Sequence, residues 1–247
     1  MAHVRVLVDP PARGTWNMAV DEALLESAAA GASTLRFYEW SEPTLSLGYF
    51  QAASDRDAHP PSKDCPLVRR ASGGGAIVHD RELTYSFAAP IRERFGAEPA
   101  AIYHALHGSL IEAIRDLGVP ATSCQQPGPR DDKRREPFLC FQRRAPGDVL
   151  CGLHKIAGSA QRRQRGGLLQ HGSILLAQSA CAPELPGIAE IRGRPLLPGE
   201  LIAAWTGRLS QLLNSTLETG QISPAERSKA DEFEKARFAS AAWTMRR

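Results

Sequence analysis

Apolar and polar positions alternate from Val4 to Val8, which predicts a short strand ending before Pro10-Pro11. The period lengthens over Thr15 to Ala30, where Ala19, Ala23, Leu24 and Ser27 fall on one helical face. Asp21 and Glu22 are read near the start of that helix, where its dipole favours acids. Leu35 to Trp40 and Thr44 to Tyr49 read as strands parted by Ser41-Glu42-Pro43, a hairpin or a strand–turn–strand. Gln51 to Cys65 is polar and holds Pro60-Pro61, so it is expected to be a loop with at most a short helix. Strand character returns at Leu67 to Arg70 and at Ala76 to Ile91, on either side of Gly73-Gly74-Gly75. The clearest helix runs from Pro99 to Leu117: Ile102, Leu106, Leu110, Ile111 and Ile114 form a stripe, and Gly118 and Pro120 stop it. Thr122 to Gly147 is a long loop holding the charged run Arg130 to Glu136 and ending in Phe138-Leu139-Cys140-Phe141. Asp148 to Ala160 reads as a hairpin and Gly166 to Leu176 as a further strand. From Gly199 the pattern is mostly helical, over Leu201 to Leu213 and Pro224 to Ser240.

Runs of strands with a few interspersed helices favour an α+β, mixed α/β architecture over regular βαβ alternation. The Pro/Gly-rich segment from Pro183 to Pro198 sets off a C-terminal helical portion, about 199–247, without marking a second domain. The chain is therefore read as one domain, 1–247.

Composition narrows the class only modestly. A hydrophobic content of 43%, a charged content of 23% and a net charge of +3 describe an ordinary globular chain. Nothing in them points to nucleic acid or to a membrane. The first ten residues hold no signal-peptide apolar run, and no apolar run approaches the ~18 residues of a spanning helix. The five cysteines are odd in number, irregularly spaced and without a C-x-x-C, so a reducing, cytoplasmic setting with free thiols and no metal is expected. Lysine is scarce, found only at 63, 133, 155, 229 and 235, which draws attention to Lys155.

The candidate chemistry centres on two stretches. Arg69 to Ser86 opens with paired guanidinium groups, passes through Gly73-Gly74-Gly75 and reaches His79-Asp80. Three glycines are entropically costly, and such a cost is met where a backbone must turn sharply or receive a ligand at its N–H groups. A Gly-rich hairpin turn with solvated arginines is the plainer alternative. The second stretch joins Cys140 to Lys155: a thiolate is a nucleophile, and an ammonium beside it favours that form or stabilises an oxyanion. The alternative for any lone cysteine is a small buried hydrophobe, which suits Cys151, between Val149 and Leu153. Cys65, Cys124 and Cys181 have no companion signal. His171, before Gly172, suits a donor or general base but as an isolated histidine is equally structural. Ser72, His171 and Asp80 make a triad on paper, with no G-x-S-x-G elbow to support it. His104 and His107 lack a third ligand and read as a surface or partly buried pair.

Several motifs in order resemble the lipoate–protein ligase and octanoyltransferase family: Asn17-Met-Ala-Val-Asp-Glu-Ala-Leu-Leu, Leu35 to Trp40 with Pro43 to Gln51, Arg69 to Ser86, Lys155-Ile-Ala-Gly-Ser-Ala-Gln and Gln170-His-Gly-Ser-Ile-Leu. The resemblance implies a biotin/lipoyl protein ligase-like fold, with a larger mixed sheet and a smaller sheet around an acyl tunnel. The family holds ATP-dependent lipoate ligases and octanoyltransferases that work through a cysteine thioester. Asp80 is followed here by Arg81-Glu82-Leu83 rather than the Gly-Asn typical of the ligases, and Cys140-Phe141 stands where the LipM-type transferases carry their nucleophile. The length leaves no room for the accessory domain of many ligases. Gly73-Gly74-Gly75 is closer to the ligase pattern, and Gln142 to Asp148 departs from the transferases. The resemblance thus implies an octanoyltransferase without a cofactor, taking octanoyl groups from acyl carrier protein to a lysine of a lipoyl domain or glycine-cleavage H-type carrier. An ATP-dependent ligase and a non-catalytic carrier-binding homologue are the alternatives. Cys140 and Lys155 are the implied catalytic pair. Arg70, Ser72, Gly73, Gly74, Gly75, His79, Gly158, Ser159, Ala160, His171 and Gly172 are the implied substrate-binding residues. An apolar tunnel is expected from Leu45 to Leu47, Ile77-Val78 and Ile156.

Overall fold

The computed structural model describes residues 2–91, 99–126 and 137–247. The charged run Arg130 to Glu136 lies outside them. The alternating segments become β1 (Ala2–Val8), β2 (Thr34–Tyr38), β3 (Thr44–Leu47), β4 (Leu67–Arg69), β5 (Ile77–His79), β6 (Glu82–Pro90), β7 (Ala121–Ser123), β8 (Val149–Cys151), β9 (His154–Gln164), β10 (Gly167–Leu175) and β11 (Ser215–Thr219). The helices are α1 (Gly14–Ala29), α2 (Pro99–Asp116), α3 (Ile188–Arg192), α4 (Pro198–Leu213), α5 (Pro224–Phe233) and α6 (Ala241–Thr244).

Eight strands form a mixed sheet in the order β11-β1-β2-β6-β10-β9-β8-β7, and three form a smaller one, β4-β3-β5. The strands β2 and β3 therefore do not pair as a hairpin: β2 lies antiparallel to β6, and β3 lies between β4 and β5. The C-terminal portion is also not wholly helical, because β11 runs parallel to β1 at the sheet's edge.

Strand β6 shows how the layers are set. Leu83, Tyr85, Phe87 and Ala89 face a core shared with Ile102, Leu106 and Leu110 of α2 and Leu201, Trp205 and Leu209 of α4. The intervening Ala88 faces a second core with Met18, Ala19, Leu24 and Leu25 of α1 and Ala230 of α5. Side chains point alternately to the two faces of a strand, so a strand covered on both sides must be apolar or internally satisfied throughout. Two polar members of β6 on the α1 side are satisfied internally: Ser86 donates to Asp21 Oδ1 at 2.9 Å and Thr84 accepts from Trp40 Nε1 at 2.9 Å. Helix α1 carries no acid in its first turn. Asp21 and Glu22 come too late for the dipole; they are buried and ion-paired instead.

Candidate active site

The site is assembled around the Gly-rich segment between β4 and β5. Gly74 has φ +98°, a left-handed conformation that a side chain strains, and the carbonyl of Gly74 would lie 1.9 Å from a Cβ on Gly48. Arg70 is buried and donates to the carbonyls of Gly73 (3.3 Å) and Gly75 (2.7 Å) and to the Ser46 carbonyl (2.9 Å). These bonds fix the carbonyls of the segment. The N–H groups of Gly73, Gly74 and Gly75 donate to no group among the described residues. Burial lowers the Arg70 pKa to about 10, so its guanidinium remains charged at neutral pH.

Cys140 opens a single helical turn, Cys140–Gln142, fastened to the same segment: its N–H donates to the Ala76 carbonyl at 2.7 Å, and Ala76 N–H donates to Phe138 O at 3.2 Å. A Cβ on Gly75 would stand 3.2 Å from Cys140 Cα, so the glycine admits the cysteine backbone. Lys155, on β9, places Nζ 3.8 Å from Cys140 Sγ and 2.8 Å from Asp148 Oδ2. Both ions are almost fully buried, a situation that costs several kcal/mol per charge unless pairing and further hydrogen bonds offset it. Asp148 receives those bonds from the Ala145 N–H (2.7 Å) and the Tyr103 hydroxyl (3.0 Å). Burial and the charge of Asp148 push the Tyr103 pKa up, which keeps it a donor. The lysine stem runs over Gly158, where a Cβ would approach Lys155 Cε to 2.5 Å.

Behind this pair lies an ordered polar chain. His107 Nδ1 donates to the Gly147 carbonyl at 2.7 Å, which leaves Nε2 to accept from Ser159 Oγ at 2.6 Å. Tyr85 accepts from Gln170 Nε2 at 2.7 Å and donates to Ser159 at 2.8 Å. Burial lowers the His107 pKa to about 4, in keeping with the neutral ring this order requires. The expectation of a surface or partly buried histidine pair is corrected here: His104 is exposed, but His107 is buried, because α2 packs that side of its helix onto the sheet.

Two further histidines brace the Gly-rich segment. His79 stacks on Trp40 at 3.8 Å, donates from Nδ1 to Glu82 Oε1 at 2.8 Å and meets Ser46 Oγ with Nε2 at 2.7 Å. His171 donates from Nδ1 to Asp21 Oδ2 at 3.2 Å and meets Ser72 Oγ with Nε2 at 2.6 Å. The acid beside His171 is thus Asp21 and not Asp80, which accepts from Ser179 at 2.8 Å. Burial works against the Asp21 carboxylate, but the His171 hydrogen bond and the Arg36 guanidinium outweigh it and hold the pKa down.

These residues line one cleft, open at its mouth. Arg70, Gly73, Gly74, His79, Cys140, Gly158, Ser159, Ala160, His171 and Gly172 reach its wall. Ser72, Gly75 and Lys155 stand just behind it, on His171, Cys140 and Asp148 respectively. The apolar lining differs from expectation. Ile77 contributes, together with Met18 and Phe141. Leu45, Leu47 and Val78 instead belong to the core under the small sheet, and Ile156 to the core under the large one. Neighbouring strand residues such as Ile77 and Val78 point to opposite faces, so only one can meet the cleft. Cys151 is buried, and burial pushes the Cys65 pKa up to about 12. Asp148, Tyr103 and Tyr85 are site components that the sequence did not single out, and Glu82, noted there only for replacing the ligase Gly-Asn, is the partner of His79.

The family model of the lipoyl protein ligase A/B catalytic domain matches residues 13–182. An octanoyltransferase LipM of Symbiobacterium thermophilum is 34% identical over 95% of this chain and 95% of its own. Another octanoyltransferase LipM, from Geobacillus kaustophilus, is 32% identical over 96% and 95%. Among solved structures, a putative lipoate protein ligase from T. acidophilum superposes with a TM-score of 0.80 at 23% identity, covering all of both chains. At that identity the likeness is one of fold.

Proposed function

The chain belongs to the lipoyl protein ligase A/B catalytic-domain family, and on that premise we propose that it is an octanoyltransferase of lipoate biosynthesis acting through a thioester on Cys140. The observation that carries the proposal is the buried Lys155 ammonium, 3.8 Å from Cys140 Sγ beside the cleft. Cys140 Sγ attacks the thioester carbonyl of octanoyl-acyl carrier protein, and collapse of the tetrahedral intermediate expels the carrier's thiolate. Lys155, held by Asp148, stabilises negative charge on the attacking sulfur. The N–H groups of Gly73 and Gly74, which donate to no group among the described residues, are available to the oxygen that gains charge. The ε-amine of a lysine on a lipoyl domain or H-type carrier then attacks the acyl-enzyme. The amide forms and Cys140 leaves as thiolate. Met18, Ile77 and Phe141 offer an apolar wall to the acyl chain.

Intact mass spectrometry tests the reading, with octanoyl-acyl carrier protein, no ATP, and three proteins: the parent chain, Cys140→Ala and Cys151→Ala. The parent and Cys151→Ala gain one octanoyl group, and Cys140→Ala gains none. A parent that takes up no octanoyl group, yet consumes ATP with free lipoate, overturns the proposal in favour of ligation.

A further inference from the structure

Residues 243–247 are strapped to the turn Gly48–Gln51, which in turn supports the Gly-rich wall of the cleft. The strap is Arg69, fully buried and outside the cleft lining. Its Nε and Nη2 donate to the Thr244 carbonyl at 3.0 and 2.8 Å, and its Nη1 donates to the carbonyls of Gly48 (3.0 Å) and Gln51 (2.6 Å). Trp243 Nε1 donates back to the Arg69 carbonyl at 3.0 Å, and Ala53 N–H donates to Arg247 O at 2.8 Å. The turn is joined to the wall by the Tyr49 N–H, which donates to Ser72 O at 2.9 Å. Phe50 comes within 3.9 Å of where a Gly73 Cβ would stand.

This arrangement leaves an unusual surface beside the cleft. The Arg246 guanidinium lies over Tyr49 and Trp243, 4.2 and 4.8 Å from their ring centres, and Arg247 lies over Phe50 at 5.4 Å. Both arginines are exposed, and neither forms an ion pair with a carboxylate among the described residues. Their charges act on buried Arg69, whose pKa is lowered first by burial and then by Arg246 and Arg247. Phe50 is 69% exposed and Met245 57%. Three like charges held together around exposed apolar groups are unfavourable in the free protein and complementary to an acidic surface with apolar contacts.

We propose that Phe50, Met245, Arg246 and Arg247 form the docking platform for the acidic face of the carrier protein that delivers the acyl thioester, beside the cleft its acyl group enters. The identity of that partner rests on the transferase reading above. Rim charges of this kind act mainly on encounter rate and salt dependence.

The test is the affinity of fluorescently labelled octanoyl-acyl carrier protein for the parent, for Arg246→Glu/Arg247→Glu and for Arg194→Glu, a control on the loop after α3. The parent Kd rises with salt. The double variant, with an unchanged Tm, binds about tenfold or more weakly at low salt and converges on the parent at high salt. A merely structural lesion would not be salted away. If the double variant does not fold, Arg246→Gln/Arg247→Gln is measured instead, with weakening in the same direction. The proposal is overturned if the parent does not bind, if its binding is indifferent to salt, if Arg194→Glu weakens binding equally, or if only binding of the acceptor domain falls. Cys140 acylation, read by mass on the same samples, reports separately on the transferase reading.

Discussion

Gly158 lacks a side chain because Lys155 occupies the space one would take, with Nζ 2.8 Å from the position of a Cβ. The lysine is flexible at its end, so Gly158→Ala shifts it away from Asp148 and Cys140 and loosens a buried ion pair. Displacements of this order cost about 10²-fold in rate. The expected outcome is a loss of that size in acyl transfer together with a lowered Tm, checked by kinetics and calorimetry. His107 gives a pH signature. Its folded pKa of about 4 lies below the ordinary histidine value of 6.5, so between these values the unfolded chain binds a proton that the fold refuses. Stability therefore falls as pH drops from 6.5 towards 4. His107→Gln loses about 1–3 kcal/mol at pH 7.5 and lacks this part of the acid slope, as urea unfolding across that range will read. Sequence motifs brought Arg70, His79 and the glycines into view because each lies within a local signature. Asp148 and His107 were missed for the opposite reason. One, in the loop before β8, gains its role from a lysine on β9, and the other from Ser159, which α2 meets only after packing on the sheet.

At the level of elements, alternation identified strands but not their partners. Leu35 to Trp40 and Thr44 to Tyr49 are neighbours in sequence, yet the turn between them passes from one sheet to the other. Strand β11 escaped notice because Leu217 is its only large apolar residue, and its pairing with β1 is a backbone matter. It precedes α5, where Arg5 of β1 reaches across to Glu226 at 2.6 Å. Burial opposes the Glu226 carboxylate, but the bonds from Arg5 and Ser223 hold its pKa down at about 2, below the ordinary glutamate value of 4.5. The stabilisation is thus complete above about pH 4.5 and lost as pH falls through about 2. Glu226→Gln should lower stability at pH 7, with the difference from the parent shrinking over that acid window in denaturant titrations. An equal deficit at every pH would contradict the assignment.

For the molecule as a whole, mixed α/β class and a large and a small sheet were legible, the class from the period changes and the two sheets from the motif resemblance. What the letters did not contain is the closure: β3, β4 and β5 make a separate sheet whose Gly-rich margin faces β9 and β10 across the cleft. That closure brings Cys140, from a loop, and Lys155, from a strand, to one wall. Among the described residues no helix is long and apolar enough to cross a membrane. The most direct test isolates the octanoyl-enzyme after acylation, removes the donor and adds an acceptor lipoyl domain without ATP. The account predicts that the octanoyl group leaves Cys140 and appears on an acceptor lysine. An acyl-enzyme that persists beside unmodified acceptor, or an acceptor modified only when ATP and free acid are supplied, would contradict it.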